Sequence, residues 1–571
     1  MKKLISSKYG WIYLLMVLIA INYLASIFHF RIDLTQEKRY TLSAPTKKLL
    51  KNLGDEVKVT VFLDGEMPAG FRKLANSTRE MLQEFKEYGT NNIQYSFERP
   101  GTDSLAGYTM DSLMQLGLKP TNVRVEAREG EGEEQRYLFP GAVVSYRDRK
   151  MPIDFLQGLD MQGGINSLNN AEALLEYKLI STIQKISTDT VPLVAYLLGN
   201  GEPLTYNVFD LIERTLKQNY RFAFHPIDSF GIIPPAFDAV LIMKPTVPFN
   251  DQQKLKIDQY IMNGGKVIWL IDRLYAEMDS LMRKQSDFIA FDRNLNLEDI
   301  LFKYGVRINP DLVQDLQCDK VPLVVGNFGD KPQMQLTDWP YFPLLSSYTS
   351  HPISKNLNQV LSIFPNSIDT IKTPDIAKTI LLASSANARS LITPAMVSLN
   401  SVKTEDDIRT FNKAHIPIAV LLEGKFSSLY GNRLGQSTID SLDKVYQQPF
   451  LRNSSVANKM IVISDADIAG NVFSQQQGPL EMGFNQFTEA QYANRDFILN
   501  CVEYLVNPSG ILDARSKDFT LRLLDPKKIE SGKNFWQIIN IGLPVLLVLV
   551  FGFVFQFLRK RKYQAKPAAA V

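Results

Sequence analysis

Cysteine and histidine are scarce in this 571-residue chain. The two cysteines, Cys318 and Cys501, cannot build a disulfide-framed scaffold or a four-cysteine zinc site. The four histidines, His29, His225, His351 and His415, are scattered and suggest no His-rich metal centre. A surplus of one charge is also missing, since 63 Lys+Arg oppose 60 Asp+Glu. Residues 1–30 and 535–571 hold 8 of those 63 bases and no acid, which leaves 55 bases and all 60 acids to 31–534. No broad basic surface follows, so nucleic acid is not the expected partner. Known catalytic signatures are absent too: no G-x-x-x-x-G-K-[ST] loop, no G-x-S-x-G elbow and no H-E-x-x-H helix occur. The expectation is therefore no catalytic residue, no metal and no cofactor. Hydrophobic residues at 45% and charged residues at 22% match a globular chain, which argues against disorder and coiled coil.

Two long apolar runs are present. Trp11 to Phe30 is interrupted only by Asn22, Ser26 and His29, and Phe535 to Leu558 is followed by Arg559, Lys560, Arg561 and Lys562. A helix of about 20 residues rises about 30 Å, one hydrocarbon thickness. Both runs read as membrane spans, and Pro544 is tolerated as a kink in the second. A cleaved signal peptide is the alternative for the first, but the run exceeds a typical h-region and no clear A-x-A site follows. A core helix is the alternative for the second, opposed by its length and basic flank. Both basic flanks lie outward of the middle, so the positive-inside rule predicts both termini in the cytoplasm. The bulk then lies across the inner membrane, in a bacterium's periplasm.

Between the spans the expected class is α/β. Ser43 and Pro45 predict a helix start, Val57–Leu63 a strand, Phe71–Tyr88 a helix and Ile93–Glu98 a strand. That β-α-β unit is thioredoxin-like in kind, and its lack of Cys excludes redox work. Val123–Ala127 and Arg136–Tyr146 read as strands around the charged turn 128–134, a solvated turn rather than a calcium loop. Ser167–Ile186 reads as one long amphipathic helix. From Val191 strands and helices alternate: strands at Val191–Leu198, Phe222–Pro226, Ala239–Met243, Val267–Ile271 and Met460–Ser464, helices at Tyr206–Asn219, Asn250–Met262 and Asn494–Val506. Continuous apolar strands separated by helices predict a doubly wound parallel sheet. The expected layout is an N-terminal cytoplasmic stretch 1–10, a span 11–30, an N-terminal domain 31–188, a parallel-sheet domain 189–510, a linker 511–534, a span 535–558 and a basic tail 559–571. The second domain carries a large insertion at about 275–455, with strand-like runs at Thr379–Leu382 and Ile418–Leu422.

Ligands of parallel sheets bind at the carboxyl ends of strands. Gly199, Asn200, Gly201 and Glu202 follow one strand, and Asp465 and Asp467 follow another, which makes them candidate ligand-binding residues. Ordinary turns with helix-capping acids are the alternative. Trp339, Tyr341 and Phe342, bracketed by prolines, would form an interaction surface for a sugar or a partner, or would pin a long loop onto the core. Cys501 reads as a buried structural thiol and Cys318 as a loop residue. A bridge between them stays open.

Ile32-Asp-Leu-Thr35 with Arg39-Tyr-Thr-Leu-Ser43, the helix Asn170–Ile186 with Leu175-Glu-Tyr177, and Gly199-Asn-Gly-Glu202 resemble extracytoplasmic auxiliary proteins of ABC transporters. Asn296–Gly305, Asp311–Cys318 and Trp339-Pro-Tyr341 are similar, more narrowly, to the GldG family of gliding-motility proteins of Bacteroidetes-type bacteria. The resemblance runs over essentially the whole chain. It implies a substrate-binding-like subunit of an inner-membrane complex, partnered by a separate ATPase and a multi-span permease, with a role in gliding. It also implies a second domain similar to class I glutamine amidotransferases, but the nucleophilic Cys and its His are missing here, so no catalytic residue carries over. The cargo stays unidentified. Two other readings compete: a scaffold joining the membrane to an envelope partner, and an enzyme acting on a glycan or amide through Glu202, Asp465 and Asp467.

Overall fold

The computed structural model describes residues 15–16, 18–19, 22, 41–89, 92–100, 108–126, 133–156, 165–278, 287–328, 331–398, 405–446, 449–507, 509–516 and 526–563. The chain forms two units, Met1–Phe519 and Thr520–Val571.

The first unit opens with helix α1, Ala44–Lys51, where Thr46 N–H donates to the side chain of Ser43 and proline sits in the first turn. Strand β1 (Val57–Val61), helix α2 (Ala69–Tyr88) and strand β2 (Ile93–Phe97) follow as a parallel pair with its crossover. Thr121–Glu126 (β3) and Glu133–Leu138 (β4) form an antiparallel hairpin, and Gly141–Tyr146 (β5) pairs with Arg149–Asp154 (β6). The strand expected over 136–146 is thus two strands, separated at Phe139-Pro140, where proline lacks the N–H that a ladder needs. Most of the charged turn lies outside the described residues. The four-stranded sheet runs β2-β1-β5-β6. Val57, Val59 and Val61 bury against Leu74, Leu82 and Phe85 of α2 and against Leu179, Ile180 and Ile183 of helix α3, Leu175–Ser187. The single long helix expected before the second domain is in two pieces, Ile165–Ala173 and α3, parted at Leu174.

The second sheet has seven strands. Leu193–Leu198 (β7), Arg221–Pro226 (β8), Ala239–Met243 (β9), Val267–Leu270 (β10), Ile376–Ala383 (β11), Pro417–Gly424 (β12) and Asn458–Ile463 (β13) lie in the order β11-β12-β13-β10-β9-β7-β8. The five strands from β13 to β8 are parallel, and β12 and β11 extend the sheet antiparallel beyond β13. Successive side chains point to opposite faces. Val194 and Tyr196, Leu241 and Met243, and Ile268 and Leu270 accordingly enter one core beneath helix α5, Asn494–Val506. Ala195 and Leu197, Val240 and Ile242, and Val267 and Trp269 enter the other core, beneath helix α4, Asp251–Met262. A strand buried on both faces reads as an unbroken apolar run, which is why these strands lack polar alternation. Helix α4 starts at a reciprocal capping box of Asn250 and Gln253. The helix expected over 206–219 is a 3₁₀ turn, a π-helical turn and a short α-helical end.

The insertion is smaller than its expected span. Strands β11 and β12 fall inside 275–455, yet they are the two outermost strands at one side of the main sheet. The rest has a core of its own around Trp339, Tyr341, Phe342 and Phe364. Cys318 begins a strand, Cys318–Phe328, that pairs with Lys331–Leu345, so it is not a loop residue. Cys318 and Cys501 are both free thiols.

In the second unit, helix α6 covers Pro526–Tyr563 and contains Pro544. Its stretch Ile538–Arg561 is long and apolar enough to cross a membrane. Most of the first apolar run lies outside the described residues; Leu15, Met16, Leu18, Ile19 and Asn22 are helical and exposed.

Candidate functional site

The parallel order β8-β7-β9-β10-β13 reverses direction between β7 and β9, which is the switch point where such sheets open a crevice. The loop after β7 holds Gly199, Asn200, Gly201 and Glu202. Gly201 has φ +76, and a Cβ there would lie 2.1 Å from Thr246 Oγ1, so only glycine fits the turn. Glu202 Oε2 accepts from the N–H groups of Gly199 at 3.0 Å and Asn200 at 2.8 Å. Asn200 Nδ2 donates to Gln253 Oε1 at 3.0 Å, and Asn200 O accepts from Thr246 and Val247 N–H. The loop is therefore bound to the segment after β9 and to the start of α4. Burial raises the Glu202 carboxyl above its ordinary range, and the two amides only partly oppose it.

A second group sits at the carboxyl ends of β9, β10 and β13. It consists of Lys244, Asp272, Asp465 and Asp467. Lys244 follows β9 with φ 47, a left-handed backbone that costs about 1–3 kcal/mol outside glycine. Its ammonium pairs with Asp467 and lies 3.1 Å from Asp272 Oδ2. Asp272 Oδ1 accepts from Ala466 N–H at 2.6 Å, and Asp465 Oδ1 from Asp467 N–H at 2.8 Å. Asp465 Oδ2 accepts from Ser362 Oγ and, at 2.7 Å, from Ile363 N–H, both in the insertion. Burial is the largest influence on all three shifted groups. It pushes Asp465 well above the carboxylate range, helped by the charges of Asp467 and Asp272. It raises Asp467 to about 6 against the pull of Lys244. For Lys244 burial opposes the charge, but Asp272 and Asp467 outweigh it and hold the ammonium above its ordinary range.

Oxygens of the three aspartates lie within 4.8 Å of one another, a spacing that could hold a metal ion. The Lys244 ammonium already pairs with two of them and acts as the internal cation. Lys244 and Asp272 were not legible as site residues. The available signal was a charged residue directly after each of the apolar runs 239–243 and 267–271. The structure brings Asp465 and Asp467 together but keeps Glu202 apart: no hydrogen bond or ion pair among the described residues joins it to either. Trp339, Tyr341 and Phe342 are at most 5% exposed, so they offer no ring face to a sugar or a partner. Trp339 Nε1 donates to Ser398 O at 3.2 Å and Tyr341 Oη to Met396 O at 3.3 Å, and the rings pack on Phe364. They anchor the insertion instead.

Residues 192–501, more than half of the chain, match the family described as ABC-type uncharacterized transport system, and residues 36–145 match a domain of unknown function, DUF7088. An uncharacterized protein of Borreliella burgdorferi is 19% identical over 554 residues, covering 94% of this chain and 95% of that one. Among solved structures, the mmIFT52 N-terminal domain is similar at 11% identity over 55% of this chain and 97% of that chain, with a TM-score of 0.30, too low to carry an argument. The match over the seven-stranded sheet and its strand-end loops shows that the chain belongs to the family of auxiliary proteins of ABC-type transport systems.

Proposed function

We propose that the chain is a non-catalytic, substrate-binding-like subunit of an inner-membrane ABC transporter complex, acting beside a separate ATPase and a multi-span permease and serving gliding motility. Two spans hold it, with both termini in the cytoplasm and residues 31–534 in the periplasm. The order β2-β1-β5-β6 supports a thioredoxin-like first domain. Helices on both faces of β13-β10-β9-β7-β8 support an amidotransferase-like second one.

The observation that carries the non-catalytic reading is the closed carboxyl edge of the large sheet. The three aspartates there are engaged by Ser362, Ile363, Ala466 and Lys244, which supports reading them as structural groups rather than as an acid and a base. Crosslinking in native membranes followed by mass spectrometry tests the partnership. Recovery with an ATPase and a permease is expected; recovery alone overturns it, and recovery with envelope proteins only favours the scaffold. A reporter fused after Val571 should face the cytoplasm, and protection from cytoplasmic probes would overturn the topology.

One observation favours a ligand role for Gly199, Asn200, Gly201 and Glu202. Asn200 Oδ1 and Glu202 Oε1 are buried in one turn and receive no hydrogen bond among the described residues. A small donor ligand would satisfy them. Asp465, which takes donors from the insertion, and Asp467, which pairs with Lys244, fit that role less well.

A further inference from the structure

A cavity of about 650 Å³ opens in the insertion, sharing no residue with the aspartate cluster. Its position follows from strand geometry. Val306–Ile308 pairs antiparallel with Ile368–Thr370, and Asp311–Asp315 with Ala388–Ile392. Lys413 bridges to Ala388 through both backbone bonds, at 2.9 and 3.0 Å. Beyond that bridge the segment 413–417 stays paired along 383–388 as it enters β12, and it lines the cavity together with 309–311, 367–369, Ser390 and Ile392. A second hollow of about 590 Å³ shares Arg307, Ile368, Asp369 and Pro417 with it.

The charges in the wall are unequally engaged. Asp369 pairs with Arg307 at 2.8 Å across the strand register. Asp311 is buried and accepts from Ser367 N–H at 2.9 Å and Ser367 Oγ at 2.7 Å. Both carboxylates are thus taken. Lys413 is exposed, and its ammonium meets only Ser390 Oγ, at 2.6 Å, with no carboxylate in ion-pair range among the described residues. Beside it His415 is held at φ 54, a left-handed backbone fixed by its N–H bond to Ser385 O at 2.9 Å. Strained residues of this kind cluster at ligand clamps. Tyr348, half exposed, packs on the His415 ring with centroids 3.9 Å apart. The volume lies within the range of about 300–1,000 Å³ typical of small-molecule sites and exceeds what a lone ion needs.

We propose that this cavity binds a hydroxylated small molecule carrying one oxyanion, a sugar acid or a sugar phosphate, with the oxyanion on Lys413 and a hydroxyl on Ser390. Ile392, 77% exposed at the wall, supplies apolar contact for a ring face. The inference does not rest on the transporter reading.

Calorimetric titration of the detergent-solubilised full chain tests it, with galacturonic acid, glucose phosphate and neutral galactose as probes. Binding of one or both anionic probes at millimolar concentration or tighter, with galactose markedly weaker, is expected, and the better binder identifies the source of the oxyanion. Lys413→Gln should weaken that binding about tenfold or more, while Lys413→Arg retains it, because a charge-assisted bond is replaced by a neutral one only in the first. No binding by either anion, equal binding of galactose, or unchanged binding by Lys413→Gln would overturn the assignment.

Discussion

The aspartate cluster and the insertion cavity are both polar, and they differ in where their charge goes. At the sheet edge Lys244 faces Asp272 and Asp467, and Asp465 takes donors from the insertion. Charge there faces charge of the same chain. At the cavity the carboxylates are likewise held by Arg307 and Ser367, but the Lys413 ammonium meets only a hydroxyl. A carboxylate group at the carboxyl ends of parallel strands looks like chemistry and here works as a clasp between the sheet and the structure inserted into it. The charge available to a ligand sits in the insertion.

The comparison breaks most readily at Lys244. Replacing it with Met leaves the buried aspartates without a cation, and removing one partner of a buried pair costs about 3–5 kcal/mol. Thermal unfolding should therefore fall sharply in Lys244→Met, while binding at the cavity in the surviving folded protein stays at the wild-type level. A stable Lys244→Met protein would show that the cluster is not a clasp.

The next effect is pH dependence. Asp467 is raised to about 6 from an ordinary value of 3.8. The folded state thus holds this proton more tightly than the unfolded chain. The resulting stability is complete below about pH 4 and is lost as pH rises through about 6, worth up to about 3 kcal/mol at roughly 1.4 kcal/mol per pH unit. The melting temperature should rise between pH 7.5 and 5 through this group, and Asp467→Asn should remove that part of the rise. Identical pH profiles for the two proteins would contradict it.

Ser362→Ala is milder and isolates the insertion's hold on Asp465. Loss of a buried hydrogen-bond partner of the Asp465 carboxyl costs about 1–3 kcal/mol, with Ile363 N–H still in place. The melting temperature should fall by less than in Lys244→Met. A neutral result would mean that the insertion rests on the edge without fastening it.

Much of this arrangement was legible beforehand, where local rules apply. The burial of β7, β9 and β10 on both faces and the helices at 250–262 and Asn494–Val506 follow from short-range pattern. Long-range pairing was not legible. Strands β11 and β12 look like parts of an insertion because β13, which places them at the sheet edge, comes over thirty residues after the end of β12. Whether Trp339 and its neighbours form a surface or pin a loop was not legible, because the strand that buries them, Ala395–Ser398, is distant in sequence. Asp465 and Asp467 stood out as residues just after a strand. Lys244 and Asp272 did not, since their meeting depends on three strands lying side by side. The cavity had no sequence signal, because the segments that line it are far apart in the sequence.

The smallest expected effect sharpens the contrast most. Lys413→Gln removes a positive charge from the molecule, as Lys244→Met does, yet Lys413 is exposed and opposes no carboxylate among the described residues. Glutamine can still donate to Ser390 Oγ, so no buried group is orphaned. Surface changes of this kind usually stay within about 0.5 kcal/mol. The melting temperature of Lys413→Gln should match wild type while anion binding weakens. If stability falls as well, Lys413 is holding the cavity wall together, and the two regions differ in position rather than in the use of their charge.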